Sequence, residues 1–350
     1  MLIFCFFIYA RKGIMEASKR QSNIEMLRIV LILMVIILHY LNGEMGGALS
    51  HSKMTELYVS HFMESLCIVA VNTFILITGY FSYKKNSVNV NKTVKLFLIM
   101  FFYGLVLTMP ILFYKGTLMS LNGIWMIITL SFSQWFVVIY SILYLLIPYI
   151  NKLLGTISKR QLQILLMINF IFFYCWPTFF TNVTLADSGY GIINFINLYL
   201  VGAYIRLYNV NISKWFYLLI YFITTVLTFG FSIVADRAYS YSSIFNLISS
   251  IALFEFFIHI NIGHHNWINQ LATYTFAVYI IDVNVPFNKL LYRQVFHSNL
   301  YWNSNLLIVN LIITTIGVYL ICIAIEFLRR ILLDRLFNMG ISKIKWEISV

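Results

Sequence analysis

Residues 24–43 read IEMLRIVLILMVIILHYLNG. Most of these twenty side chains are apolar, and a helix of this length, at about 1.5 Å per residue, crosses a hydrocarbon core of about 30 Å. Similar runs recur along the chain, separated by short polar segments. The 350 residues are 61% hydrophobic and 10% charged, whereas a soluble domain carries about 25% charged residues. The sequence therefore excludes a soluble globular protein and predicts an all-α integral membrane protein.

The apolar runs predict about ten transmembrane helices. We place them near residues 24–43, 62–83, 96–114, 134–150, 162–180, 191–208, 214–233, 243–262, 268–290 and 305–328. Residues 1–21 are then a cytoplasmic N-terminal segment, in which residues 1–14 are either an upstream start or an interfacial anchor. A single membrane domain occupies residues 22–333, and residues 334–350 form a cytoplasmic tail.

The basic residues predict the orientation, because cytoplasmic loops retain Lys and Arg. With both termini in the cytoplasm, 19 of the 24 Lys and Arg residues fall on the cytoplasmic side. The other five are Lys53, Lys115, Arg237, Lys289 and Arg293. Topology thus explains the net charge of +12 better than a nucleic acid partner, since no single basic face is formed. The four cysteines lack metal-ligand spacing, so no metal site is predicted.

Ionisable side chains within spans are costly and therefore indicate function. In the first span, His39 lies eleven positions after Arg28, which puts both on one stripe of the helix about 16 Å apart. Glu25 lies three residues before Arg28 and is expected to pair with it. The imidazole of His39 is expected near mid-membrane. It is either a catalytic group or a hydrogen-bonding group between helices.

Two further sites lie in the eighth and ninth spans. Glu255 and His259 are spaced i and i+4 and so share a helix face, where they either form a catalytic acid and imidazole pair or hold helices together. Asp282 lies more than halfway along the ninth span, before Pro286, which is expected to kink the helix. It is a candidate substrate-binding residue or an interhelical hydrogen-bonding group.

Lys92 and Lys95 lie one turn apart where the third span begins. Their positive charge either only fixes the orientation of the chain in the membrane or also binds an anionic co-substrate beside Arg28. The phosphates of coenzyme A suit such a site.

The first span, with ten residues between Arg28 and His39, resembles the opening motif of the acyltransferase type 3 membrane family. Four further segments follow in the order and spacing of that family. They are NTFILITGYFSYKK (72–85), SQWFVVIYSILYLLIPYIN (133–151), NLYLVGAYIRLY (197–208) and TYTFAVYIIDVNV (273–285). The resemblance covers residues 22 to about 330.

The resemblance implies O-acylation, usually O-acetylation, of extracytoplasmic carbohydrates with acyl-coenzyme A as donor. Two positions depart from the family pattern. Lys92 and Lys95 stand where the family commonly has an RxxR pair, so charge is kept but bidentate guanidinium geometry is lost. Asp282 stands where the family often has histidine, which weakens a catalytic role for that position.

The leading hypothesis is a multi-pass acetyltransferase of the bacterial cytoplasmic membrane that acetylates a surface polysaccharide or its precursor. Acetyl-CoA is its co-substrate, and no bound cofactor is expected. Arg28, Lys92 and Lys95 would bind the donor, while His39 would act as general base or accept the acyl group. Glu255 and His259 would assist, and Trp135 would stack on the carbohydrate acceptor. The alternatives are a transporter or flippase for a lipid-linked saccharide, or a scaffold of the polysaccharide-synthesis machinery.

Overall fold

The computed structural model describes residues 20–132, 134–180, 187–208, 212–341 and 346–350. These residues are almost entirely helical. The α-helices, in chain order, are α1 (Ser22–Leu41), α2 (Ala48–His51), α3 (Met54–Cys67), α4 (Ala70–Ser82), α5 (Val90–Tyr114), α6 (Leu121–Phe132), α7 (Trp135–Thr156), α8 (Lys159–Phe170), α9 (Trp176–Phe179), α10 (Ile192–Leu207), α11 (Lys214–Ser232), α12 (Ile244–Ile258), α13 (Asn266–Leu271), α14 (Thr275–Asp282), α15 (Val285–Lys289) and α16 (Leu307–Ile341).

Short irregular elements connect several of these helices. Two π-helices span Ile171–Cys175 and Leu290–Val295, and 3₁₀ turns span Asp236–Tyr239, Ala272–Tyr274 and Ser298–Leu300. Strands β1 (Ser87–Asn89) and β2 (Glu347–Ser349) pair antiparallel, with Val88 opposite Ile348.

The prediction of an all-α membrane protein is confirmed. Within the described residues, eight helical segments are long and apolar enough to cross a membrane. They correspond to eight of the ten predicted spans, and α10, at 16 residues, is a shorter apolar helix at the position of a ninth. The cytoplasmic location of the termini stays a prediction, and residues 1–19, with the proposed upstream start, lie outside the described residues.

The predicted span at 268–290 is broken rather than continuous. Helix α14 ends at Asp282, and α15 begins after Asn284, whose side chain accepts a hydrogen bond from the Phe287 N–H at 3.2 Å. Pro286 lies within the first turn of α15. Proline has no N–H to continue the preceding helix and disfavours helical backbone in the residue before it. The break exposes the carboxyl end of α14 to hydrogen-bonding partners.

Two other boundaries differ from prediction. Helix α6 lies in the segment expected to be an extracytoplasmic loop, and α16 continues to Ile341 rather than ending near residue 328.

Contacts group the chain into two compact units. Unit 1 comprises the described parts of residues 1–63, 94–134 and 261–344. Within it, α1 packs against α13, α14 and α16. Leu31, Ile32 and Ile36 of α1 are fully buried, and the Tyr40 hydroxyl donates to Asn310 Oδ1 at 2.7 Å. Helix α1 is therefore the central helix of this unit.

Unit 2 comprises the described parts of residues 64–93, 135–260 and 345–350. Its helices α4 and α10 approach closely through two glycines. A Cβ atom at Gly79 would lie 2.2 Å from the Tyr199 carbonyl oxygen, and one at Gly202 would lie 2.3 Å from the Leu76 oxygen. Small residues at membrane helix interfaces allow such backbone contact, so a side chain at either position would separate the helices.

Candidate active site

His39 and Asp282 form a hydrogen-bonded pair in unit 1, in which Asp282 is buried and His39 is partly exposed. The imidazole Nδ1 lies 2.6 Å from Asp282 Oδ2, although 243 residues separate the two in sequence. His39 is in the last turn of α1 and Asp282 is the last residue of α14, which packs on α1. Helix α1 ends two residues later at Leu41, and the mid-membrane position of His39 stays a prediction. The end of one helix and the break in another bring the two side chains together.

The Asp282 carboxylate is fully enclosed and well supplied with donors. Its second oxygen, Oδ1, accepts a hydrogen bond from Asn288 Nδ2 at 3.0 Å and lies 3.0 Å from the Tyr292 hydroxyl. That hydroxyl also lies 3.1 Å from the Ile36 carbonyl oxygen, so its proton is shared between two acceptors. Burying a carboxylate is costly unless such donors surround it. The donor set holds Asp282 in one position beside His39.

This pairing determines which imidazole nitrogen is available for chemistry. An ionised carboxylate accepts the Nδ1–H, which leaves Nε2 as the unprotonated nitrogen of the neutral ring. Nε2 has no hydrogen-bond partner among the residues that the structure describes, and the His39 side chain is 15% exposed. With Asp282 fixing the tautomer and orientation of the ring, Nε2 can accept a proton, and the catalytic role of His39 stays a prediction.

Asp282 is fully buried and forms the interhelical hydrogen bond that was its alternative role, while its role in substrate binding stays a prediction. The departure from the family pattern at this position supplies a carboxylate partner for His39.

Arg28 lies on α1 about 16 Å from His39 at 1.5 Å per residue. Its Nε lies 3.7 Å from Glu25 Oε1, which confirms the expected pair, and Arg20 Nη1 lies 3.2 Å from Glu25 Oε2. The Arg28 side chain remains 34% exposed. A partly exposed cation and a candidate base thus occupy opposite ends of one helix.

Lys92 and Lys95 lie in the first two turns of α5, where the helix N-terminus also favours anions. Lys92 is exposed and Lys95 is partly buried. Their joint action with Arg28 on a donor stays a prediction.

Glu255 and His259 lie in unit 2 and are adjacent, as their spacing predicts. However, His259 Nδ1 donates to the Glu255 backbone carbonyl at 2.8 Å, while the carboxylate oxygen lies 3.6 Å away. His259 follows the last residue of α12, and its ring stacks on Tyr217 with centroids 5.6 Å apart. This imidazole caps a helix end. The catalytic role predicted for the pair stays untested.

Trp135, the predicted sugar-stacking residue, begins α7 in unit 2 and packs in a cluster of aromatic rings. No group of three or more metal-ligating side chains occurs among the described residues. The expectation that the protein has no metal site stays a prediction.

Two acidic groups that lie in predicted spans were not among the predicted site residues. Glu326 in α16 is buried and accepts hydrogen bonds from Tyr103, Arg329 and Arg330 at 2.5 to 2.8 Å. Glu64 in α3 lies at the start of unit 2. The rule that ionisable residues within spans are exceptional would have identified both.

The sequence model of the acyltransferase type 3 family, described as an acyltransferase domain, matches residues 21–327. The chain belongs to this family. It is accordingly an integral membrane acyltransferase, and the expected family is confirmed. Neither the curated proteins nor the solved structures contain a match.

Proposed function

We propose that this membrane acyltransferase transfers an acetyl group from acetyl-CoA to a hydroxyl of a bacterial surface polysaccharide or its precursor. The observation that carries the proposal is the bond of 2.6 Å between His39 and Asp282, which leaves Nε2 as a base. A base of this kind is what a sugar hydroxyl requires to attack a thioester. The family supports acyl transfer, and the acetyl donor and carbohydrate acceptor are our additions.

In the proposed reaction, His39 Nε2 takes the proton of the attacking hydroxyl while its oxygen bonds to the thioester carbonyl carbon. The carbon–sulfur bond then breaks, and the imidazolium returns the proton to the coenzyme A thiolate. The products are an acetyl ester and free coenzyme A. Asp282 stabilises the imidazolium through Nδ1 and does not itself take up the proton.

Arg28, Lys92 and Lys95 supply positive charge for the phosphates of the donor. Under the predicted topology, all three lie at the cytoplasmic face of the bacterial membrane, where acetyl-CoA is made.

Two measurements test the proposal. Proton NMR of surface polysaccharide from a deletion strain should lack an acetyl methyl signal that the parent shows. Purified protein in detergent should release free thiol from acetyl-CoA only when an acceptor polysaccharide is added. A transporter, a flippase or a scaffold of the synthesis machinery would release none, so the absence of acceptor-dependent thiol would overturn the proposal.

A further inference from the structure

Strand β2 pairs with the segment that leads into α5. The pairing with β1 is antiparallel, and 260 positions separate Ser87 from Glu347, whose carboxylate accepts a hydrogen bond from the Ser87 hydroxyl. Val88, opposite Ile348, is buried. Both strands pack on α7, and all of these residues belong to unit 2. A strand from a distant part of the chain therefore holds the segment between α4 and α5.

The backbone bonds of β2 extend to the first residue of α5. The Val90 N–H donates to the Trp346 carbonyl at 3.0 Å, and the Val350 N–H donates to the Asn86 carbonyl at 3.3 Å. Val90 is the residue at which α5 begins. The first N–H groups of a helix have no acceptor within the helix, so a carbonyl from outside acts as a cap. Strand β2 thus supplies one cap of α5 and fixes the direction in which the helix begins.

A buried asparagine holds the other end of this segment. Asn151 Nδ2, in α7, donates to the Ser82 and Lys85 carbonyls at 2.7 and 2.9 Å, and Asn151 Oδ1 accepts from the Tyr199 hydroxyl at 2.7 Å. By contrast, most residues of β2 are exposed, and a two-stranded sheet is only marginally stable without further support. The end of α4 is therefore fixed within the unit, whereas the start of α5 depends on β2.

Lys92 lies in the turn of α5 that β2 holds. It is two residues after Val90, and its side chain is exposed. The positive end of the helix dipole and the Lys92 ammonium group both favour an anion at this place. Both effects depend on where the first turn points, because the attraction between charges falls with distance. A group that is ordered before the ligand arrives also loses less entropy on binding.

We infer that β2 positions Lys92 for the phosphates of acetyl-CoA. The inference rests on the proposed function, in which Lys92 binds the donor, and it gives β2 a role in the affinity for that donor. Strand β2 holds a binding residue rather than a reacting group. Its release should therefore raise the KM for acetyl-CoA and leave kcat unchanged.

Two proline substitutions in β2 form a matched pair. In an antiparallel ladder, alternate residues exchange hydrogen bonds. Since Val90 bonds Trp346, the register puts Ile348 at a bonded position and directs the Ser349 N–H away from β1. Proline has no N–H, so Ile348→Pro breaks the ladder, whereas an edge strand tolerates proline where the N–H faces outward. Ser349→Pro is therefore the control.

The assay uses full-length protein in nanodiscs, with surface polysaccharide freed of esters by mild alkali as acceptor. Ile348→Pro should raise the KM for acetyl-CoA about three- to tenfold, because Lys92 must then be ordered during binding. Removal of residues 346–350 should have the same effect, and Ser349→Pro should have none. The kcat and the KM for the polysaccharide should not change. The inference is overturned if Ile348→Pro leaves the KM for acetyl-CoA unchanged, or if both proline variants raise it equally.

A combination with Lys92→Ala separates positioning from a general loss of structure. In the Lys92→Ala protein, β2 has no lysine to position, so the further change Ile348→Pro should add little to the KM for acetyl-CoA. If the effects of the two substitutions were fully additive, β2 would not act through Lys92.

A failure of the proposed function is seen separately, because the wild-type protein would then transfer no acetate. In that event, hydrogen exchange of the backbone amides of residues 86–92 still tests the hold of β2 on α5. Faster exchange in Ile348→Pro than in Ser349→Pro would support it, and equal exchange in the two proteins would refute it.

Discussion

Two histidines that lie beside carboxylates, His39 in unit 1 and His259 in unit 2, make different bonds. His39 bonds the carboxylate of a residue 243 positions away, at 2.6 Å. His259 lies four residues after Glu255, yet its ring nitrogen bonds the backbone carbonyl, and the carboxylate stays at 3.6 Å. A helix end offers unpaired carbonyls, so a histidine just after it becomes a cap. A base oriented by a carboxylate requires a partner from another element.

The largest effect that bears on this comparison is expected from His39. His39→Ala and His39→Gln should both lower the rate of acetyl transfer by about 10² to 10⁴, because neither side chain accepts a proton at neutral pH. Polysaccharide acetylation, normalised to protein amount by immunoblot, is the measurement. His264→Gln, at an exposed histidine of the same unit, is the control and should be near wild type. Near-normal acetylation in His39→Gln would remove His39 from the mechanism.

A smaller loss, of about 10²-fold in kcat, is expected for Asp282→Asn. The new amide donates to Nδ1 and so leaves the proton on Nε2, which can no longer act as a base. The KM for either substrate should stay the same, since Asp282 is buried. Asn310→Ala is the control: it removes the buried bond to Tyr40 and should lower abundance without lowering kcat per molecule. If Asp282→Asn lowered protein abundance without lowering kcat per molecule, Asp282 would have only a structural role.

A third variant, with two substitutions, tests whether positive charge at the start of α5 binds the acetyl-CoA donor. Lys92→Glu combined with Lys95→Glu should raise the KM for acetyl-CoA about tenfold, because the reversed charges oppose its phosphates. Lys84→Glu combined with Lys152→Glu makes the same change of charge at exposed lysines and serves as control. Equal effects of the two double variants would mean that only overall charge matters.

The smallest effect is expected at His259. His259→Gln should keep activity within about threefold of wild type and cost about 1 kcal/mol of stability, the usual size of one hydrogen bond. Thermal unfolding in detergent and acetyl transfer measure the two quantities. A loss of activity comparable to that of His39→Gln, at normal abundance, would place Glu255 and His259 in the mechanism after all and end the contrast between the two pairs.

The sequence by itself determined the membrane class, the family and the approximate position of eight of the ten predicted spans. Runs of about twenty apolar residues are decisive, because the bilayer requires the backbone to form its hydrogen bonds within one helix. Local pairs were equally readable: Glu25 and Arg28 are three residues apart and meet as expected. Pro286 marked the break in the ninth span, since proline cannot continue a helix.

Only the tertiary structure decided which polar groups of different helices meet. The sequence presents Asp282 as one more carboxylate in an apolar run, and nothing local relates it to His39. Their contact depends on α1 packing against α14 and on the point at which each helix ends. Helical periodicity determines neighbours within a turn or two, whereas contacts between helices depend on packing that no short pattern encodes.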